Sequence, residues 1–410
     1  MFDTAALYVV RNIKDHADNN IKHIRSQSTE VPIVEHSDDY LDNCCLQDEL
    51  SILLPEESIV DYHTNSLLKA FHMNGYKYCG EAVTAFSSSS YYTYHIIKSV
   101  ATATEYFVKV LDLTKCDGEY VRSKAFQQVA IAEHLADHCC HDPHPSFTDG
   151  KDKNASPRLR IQGGRHHEAY GVHQMYSQPC LSDHVGKDNI LHIQDSFITQ
   201  DNYLVMIYEK CAGGDLWSLI SEARQNGMQY FDEELISTIF LQVCLGLEYF
   251  HQHNVVHGDI KASNVMLKDE YIPIVKLADY DTCHMATDRL CYPGTLMYTA
   301  PEILLKPGTA TTYQSDVWAL GCLLYELLTL SHPFDNPCSE DSMVENFAAF
   351  DRHKEWLLAN LPQCYSANIR ALIEAIFQAD PNNRPSVTKI IAMMGINRFG
   401  VAAKNDTNIS

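Results

Sequence analysis

Positive charge is scarce in this chain of 410 residues. Its 31 lysines and arginines stand against 53 aspartates and glutamates, which gives a formal net charge of -22. This balance argues against nucleic acid and anionic membranes, because both bind basic surfaces. Long apolar runs are also missing, since the longest, residues 318–330, contains Glu326 and is shorter than the roughly 20 residues that span a bilayer. We therefore expect no nucleic-acid partner and no membrane partner.

An export signal is missing as well. The N-terminal residues MFDTAALYVV lack the basic region and the small-residue cleavage site of a secretory signal. The 14 cysteines are therefore expected to be reduced thiols in a cytoplasmic protein, and not a disulfide framework.

Lysine and arginine are absent from residues 30–61, which contain ten aspartates and glutamates. Without this run the rest of the chain carries -12. We interpret residues 1–79 as an acidic, partly disordered leader, with a docking tail for a basic partner as the alternative. A second irregular region, about residues 139–184, is rich in histidine and predicts a long insertion in a loop. Its histidines and cysteines invite a zinc hypothesis, but their spacing matches no zinc motif and favours incidental composition.

The segments outside these regions have regular patterns. Alternating β-branched and aromatic residues predict two pairs of strands with one helix between the pairs: 92–100, 106–113, 122–137, 190–199 and 203–209. Apolar residues at helical spacing predict later helices over 233–253, 315–329 and 385–394. A small sheet with one helix, followed by a helical lobe, predicts a two-lobed α+β fold.

Three short motifs follow one another in the second half of the chain. His257-Gly-Asp-Ile-Lys-Ala-Ser-Asn264 precedes Asp279-Tyr-Asp281 and then Ala300-Pro-Glu302. In this order and spacing they resemble the catalytic loop, the metal-binding motif and the end of the activation segment of a protein kinase. Gly213-Gly-Asp-Leu216 and Ser315-Asp-Val-Trp-Ala-Leu-Gly321 look most like the NIMA-related serine/threonine kinases.

The resemblance implies a protein kinase-like domain over residues 80–395. Its small N-lobe would span 80–212 and its larger helical C-lobe 213–395, with residues 396–410 as a C-terminal tail. The family transfers the γ-phosphoryl group of ATP, with Mg²⁺, to serine or threonine hydroxyls of a protein substrate. A cytoskeletal association is suggested by the family resemblance alone.

The resemblance also assigns roles to individual residues. Asp259 corresponds to the base that orients the substrate hydroxyl, and Lys261 would reach the transferred phosphate. Lys109 holds the strand position that pairs with the α and β phosphates. Asn264 and Asp279 would supply oxygen ligands to Mg²⁺.

Two further segments would surround the nucleotide. Glu209 and Cys211 belong to the hinge whose backbone would meet adenine. Ser87 and Ser89 hold the first two positions of the glycine-rich loop, and Tyr92 holds the third. Glycine is used there because bare backbone N–H groups can close over phosphates, so Tyr92 adds bulk where phosphate should pass.

Other positions depart from the family pattern around the same site. Tyr94 and Phe107 stand where the family has small residues above adenine, so they either fill the pocket or stack on the sheet. Gln128, a neutral amide, stands where a glutamate pairs with the lysine. Gly258 replaces an arginine that grips a phosphorylated activation segment, and we expect little dependence on such phosphorylation. Asp281 replaces a glycine and adds a carboxylate beside the magnesium site.

These observations leave more than one hypothesis for the function. Lys109, Asp259, Asn264 and Asp279 favour a serine/threonine kinase, with full or reduced activity. The lost glycines and the other departures favour a catalytically inactive pseudokinase that serves as a protein-binding scaffold. A weaker alternative is a switch that binds ATP without turning it over.

Overall fold

The computed structural model describes residues 62–82, 92–116, 119–137, 160–161, 185–288, 294–306, 308–334 and 350–395. The acidic run 30–61, loop positions Ser87 and Ser89, almost all of the histidine-rich insertion, and the tail 396–410 lie outside the described residues.

A six-stranded sheet forms the N-terminal lobe, in the order β1-β2-β3-β6-β5-β4. Its neighbours are antiparallel except β4 and β5, which are parallel. The strands are β1 (Tyr76–Glu81), β2 (Tyr92–Ser99), β3 (Glu105–Asp112), β4 (Arg160–Ile161), β5 (Ile193–Ile198) and β6 (Tyr203–Glu209). The two predicted strand pairs correspond to β2 with β3 and β5 with β6.

Helices cover both faces of this sheet. On one face, α1 (Tyr62–Met73) buries Leu67, Ala70 and Phe71 in a cluster with strand residues such as Val108. On the other face, α2 (Glu119–Asp137) packs against residues of β3 and β6, and it contains the predicted helix 122–137.

The boundary predicted after residue 79 needs correction, because it divides β1 and assigns α1 to the leader. Both elements belong to the sheet and its outer cover. The sequence signal is weak since the part of α1 whose burial is described, residues 66–73, buries one i, i+3, i+4 set of apolar residues, which is too short for a clear helical period.

The C-terminal lobe is helical and is built around two long helices. Among the described residues, its helices are α3 (Leu216–Gln225), α4 (Glu233–Gln252), α5 (Pro301–Leu304), α6 (Tyr313–Thr329), α7 (Phe350–Ala359), α8 (Ala367–Ile376) and α9 (Val387–Met393). Every residue of α6 from Ser315 to Leu328 is buried, as expected for a helix that is apolar on all sides. The predicted start of the last helix at Pro385 is wrong, because Ser386 is the N-cap and its side chain accepts from the backbone N–H of Lys389.

Two short strand pairs position the motifs of the second half. β7 (Val255–Val256) pairs with β10 (His284–Met285), and β8 (Val265–Leu267) pairs with β9 (Val275–Leu277). The catalytic-loop motif connects β7 to β8, and the metal-binding motif connects β9 to β10. Each loop therefore begins on one strand pair and ends on the other, which holds the two motifs side by side. In the described part of the chain, no helix has both the length and the apolarity needed to cross a membrane.

Candidate active site

The catalytic loop forms a hydrogen-bonded network around Asp259. Its carboxylate accepts from Lys261 Nζ at 2.6 Å and from the backbone N–H of Thr295 at 2.8 Å. Lys261 Nζ also donates to Thr295 Oγ1 at 2.8 Å. Asn264 Nδ2 donates to the backbone oxygen of Asp259 at 2.8 Å and to its carboxylate at 3.2 Å. The structure thus brings together the predicted base, the predicted phosphate lysine and one predicted metal ligand.

Buried Asp316 of α6 holds the backbone of this loop. Its two carboxylate oxygens accept from the N–H groups of His257 at 2.9 Å and Gly258 at 2.8 Å. Burial alone raises the pKa of Asp316, but the bond from His251 and the nearby amides outweigh it and lower that pKa. Gly258 has φ +79°, a left-handed backbone that favours glycine, and it supplies no cation next to Asp259.

Lys109 connects the sheet to the metal-binding motif. It lies in the middle of β3, is 7% exposed, and its Nζ is 3.6 Å from Asp279 Oδ1. Asp279 follows β9 and has φ +69°, a left-handed backbone conformation. The predicted phosphate-binding lysine and the second predicted metal ligand therefore meet across the two lobes.

Three positions that depart from the family pattern surround the same ammonium group. Asp281 Oδ1 is 2.5 Å from Lys109 Nζ, and Gln128 Oε1 is 3.4 Å from it. The Tyr92 ring centroid is 4.3 Å from Nζ, and its hydroxyl accepts from Gln128 Nε2 at 3.1 Å. The family pattern predicts Gln128 beside Lys109 but does not predict Asp281 as its partner. The sequence does contain a signal for this contact. Relative to the family pattern, position 128 lacks a carboxylate and position 281 has an additional one.

The charges of this cluster shift one another's pKa. Burial alone would lower the pKa of Lys109, but Asp281 and Asp279 raise it well above its usual value, so the ammonium stays charged. Burial, together with the neighbouring Asp279 carboxylate, raises the pKa of Asp281 to about 6. For Asp279, burial raises the pKa, but Lys109 outweighs this effect and the pKa is lowered.

The donor atoms near Asp279 fit a magnesium ion. The amide nitrogen of Asn264 is used as a donor to Asp259, so its Oδ1 is the atom that can bind a cation. A carboxylate and an amide oxygen are hard ligands of the kind that Mg²⁺ takes together with water and phosphate. Among the described residues, no cluster of three or more His, Cys, Asp or Glu side chains suits a metal. The segments behind the zinc hypothesis, 139–144 and 165–167, lie outside those residues.

The hinge residues follow β6. Glu209 accepts from Lys276 at 2.8 Å and Lys268 at 3.0 Å, so its side chain ties the end of the sheet to the β8–β9 pair. Burial raises the pKa of the Cys211 thiol to about 12, which keeps it protonated at neutral pH. Tyr208, one residue before Glu209, is buried in the cluster between the sheet and α2.

Tyr94 and Phe107 stack on each other, with ring centroids 5.7 Å apart and planes at 23°. Tyr94 is paired with Lys109 across β2 and β3, and Phe107 is two residues before Lys109. Because side chains alternate along a strand, both rings share the face of Lys109. The two rings thus stack on each other on the face that adenine would meet, which leaves both sequence-based alternatives open.

Another ion pair braces the helical lobe away from this site. Arg384 donates to both carboxylate oxygens of Glu302, at 2.8 Å and 2.7 Å, and its guanidinium lies over the Trp318 ring at 5.0 Å. The pair joins the end of the activation segment to the segment before α9.

Comparison with known proteins agrees with the motifs. The family model for the protein kinase domain matches residues 170–394, more than half of the chain. A mouse protein, serine/threonine-protein kinase Nek3, is 33% identical over 207 residues, which cover 50% of this chain and 38% of that protein. Human serine/threonine-protein kinase Nek5 is 32% identical over 50% of this chain and 27% of its own length. The putative serine/threonine-protein kinase A of Trypanosoma brucei brucei is 32% identical over 56% of this chain and 53% of its own length.

The matched region begins after β1, β2, β3 and α2, so the departures at Tyr92, Phe107 and Gln128 lie before it, whereas Gly258 and Asp281 lie inside it. The chain covers about half the length, or less, of these curated relatives. The predicted two-lobed α+β fold and the predicted family are both confirmed. The chain belongs to the protein kinase family, and it is similar to NIMA-related serine/threonine kinases.

Proposed function

We propose that this chain is an active protein serine/threonine kinase that transfers the γ-phosphoryl group of ATP, bound with Mg²⁺, to a protein hydroxyl. The observation that carries the proposal is the meeting of Lys109 and Asp279, 3.6 Å apart, beside the Asp259 network. The base, the two cations and the two metal ligands are five residues, and they come together from β3, the catalytic loop and the metal-binding motif.

Phosphoryl transfer requires positioning and neutralisation of charge more than covalent chemistry. The hydroxyl oxygen attacks the γ-phosphorus in line, the bond from that phosphorus to the bridging oxygen breaks, and ADP leaves. Asp259 orients the hydroxyl and takes its proton. Lys261, 2.6 Å from the Asp259 carboxylate, balances the charge of the transferred group.

The phosphate groups of the bound nucleotide need further positive charge. Lys109 supplies one cation for the α and β phosphates from β3. Asn264 and Asp279 would hold Mg²⁺, which neutralises the charge that develops between the β and γ phosphates. The bond from Lys261 to Thr295 supports the serine/threonine type of loop, because it ties the activation segment to Asp259.

The test is a phosphotransfer assay with the purified full chain, ATP labelled in the γ position, Mg²⁺, and a mixture of serine- and threonine-containing peptides. We expect labelling by the wild type and a loss of at least about 100-fold for Asp259→Asn, because a positioned base contributes that much or more. The matched control is Asp188→Asn, the same change at an exposed aspartate, which should label like the wild type.

The inactive scaffold is the second candidate, and specific contacts favour it. The Tyr94–Phe107 stack and the Tyr92 ring over Lys109 occupy the sheet face where nucleotide would lie. Equal labelling by the wild type and Asp259→Asn would overturn the enzyme proposal in favour of the scaffold. The cytoplasmic location and the cytoskeletal association stay predictions.

A further inference from the structure

We propose that Asp281 is the counter-ion of Lys109 in this chain, and that it is a positioning residue for phosphoryl transfer in place of the glutamate that position 128 lacks. The positioning role rests on the kinase activity proposed above. The ion pair itself does not.

Distance singles out Asp281 among the oxygens around Lys109. Its Oδ1 lies 2.5 Å from Nζ, compared with 3.4 Å for Gln128 Oε1 and 3.6 Å for Asp279 Oδ1. The lysine side chain is 9% exposed, and a buried ammonium is unfavourable unless a carboxylate faces it. The shortest contact therefore comes from the residue that can supply the missing charge.

Gln128 holds a different part of the cluster. It is 1% exposed and neutral, so it can accept a weak hydrogen bond from Lys109 but cannot balance its charge. Its Nε2 donates to the Tyr92 hydroxyl, and the Tyr92 ring lies over the ammonium group. Amide, ring and carboxylate thus approach Lys109 together, as one cluster made of three departures from the family pattern.

If Asp279 binds a magnesium ion, its negative charge is shared with the metal, so it balances the charge of Lys109 less well. Asp281 leaves Asp279 for the metal and keeps one carboxylate for the lysine. Its backbone does not have the left-handed φ of Asp279, so an aspartate at this former glycine position needs no backbone strain. The carboxylate that faces Lys109 therefore comes from the metal-binding motif and not from α2.

The first experiment moves the charge back. Phosphotransfer is measured for Asp281→Gly, Asp281→Asn and the double variant Gln128→Glu/Asp281→Gly, with Asp188→Asn as the control for an exposed aspartate. We expect kcat/KM to fall at least about tenfold in both single variants, since Lys109 loses its position. We expect the double variant to recover to within about threefold of the wild type, because it restores a carboxylate beside Lys109.

Two results would overturn the positioning role. One is wild-type or higher activity in the single variants, which would make Asp281 a bystander or an inhibitory contact. The other is a folded Gln128→Glu/Asp281→Gly variant whose kcat/KM stays as low as that of Asp281→Gly. If Lys109 needs a nearby carboxylate, a glutamate at position 128 should restore activity.

The second experiment needs no activity. It compares the melting temperatures of four nucleotide-free proteins: the wild type, Lys109→Met, Asp281→Asn and the variant that combines Lys109→Met with Asp281→Asn. These four form a double-mutant cycle. We expect strong non-additivity, with Asp281→Asn lowering the melting temperature in the wild type but not in the Lys109→Met background. Additive shifts would refute the ion pair. A coupled cycle with no labelling by the wild type would instead refute the kinase proposal and the positioning role while keeping the ion pair.

Discussion

At Lys109, one buried ammonium is reached by side chains from β2, α2 and the turn after β9. Each residue type around it can be read from the sequence, but the contacts cannot, since Lys109 and Asp281 are 172 residues apart in the chain. The motifs predicted Asp259, Lys261 and Asn264 as neighbours because they share one loop. Asp281 was missed because its contact with Lys109 depends on the path of the chain after β9 and on the meeting of the two lobes.

A second buried carboxylate gives a pH-dependent prediction at the same scale. Glu326 of α6 accepts from the Tyr298 hydroxyl at 2.6 Å, and burial raises its pKa to about 7. Since the folded value is higher than the unfolded one, the stability linked to Glu326 is fully present below the unfolded pKa. It is lost as the pH rises through about 7.

The measurement compares unfolding free energies of the wild type and Glu326→Gln between pH 5 and pH 8. We expect the wild type to lose on the order of 2 kcal/mol more than the variant over this range, because each pKa unit corresponds to about 1.4 kcal/mol. Parallel pH curves for the two proteins would contradict this reading of Glu326.

Sequence patterns failed to identify several elements, among them β1, α3, α7, α8 and the helix α1 that covers the sheet. Strands β2, β3, β5 and β6 were predicted because their β-branched and aromatic residues alternate, and α4 and α6 because their apolar residues recur over many turns. α1 follows an acidic run and contributes a short apolar set. Its role is visible only through packing, since it covers the outer face of a sheet whose strands come later in the chain.

Phe71 tests whether α1 is an integral part of the lobe. Its side chain is fully buried against the sheet, whereas Met73 on the same helix is 64% exposed. We expect Phe71→Ala to lower the free energy of unfolding by about 3 kcal/mol, and Met73→Ala to leave it within about 0.5 kcal/mol. Denaturant unfolding measures both, and similar small effects for the two variants would mean that α1 is not packed as described.

On the scale of the whole molecule, the two lobes meet through charged contacts. Lys109 reaches Asp279 and Asp281 on one side of the cleft, and Glu209 reaches Lys268 and Lys276 at the hinge. The net charge of -22 predicts no nucleic-acid or membrane partner, but it does not describe the cleft. There, five of the predicted site residues form ion pairs: Lys109, Asp279, Lys261, Asp259 and Glu209. The order and spacing of the motifs predicted the fold and the family. Whether the cleft can bind a nucleotide and transfer phosphate depends on side-chain contacts that the motifs do not contain.

The most direct test of the account is whether this cleft takes a magnesium nucleotide. The melting temperature of the full chain is measured with increasing ATP and Mg²⁺ for the wild type, for Lys109→Met, and for Lys77→Met as a control at an exposed lysine of β1. We predict a rise of about 3–5 °C at millimolar nucleotide for the wild type and the control, and a much smaller rise for Lys109→Met. No rise in the wild type, or an equal rise in Lys109→Met, would contradict the account.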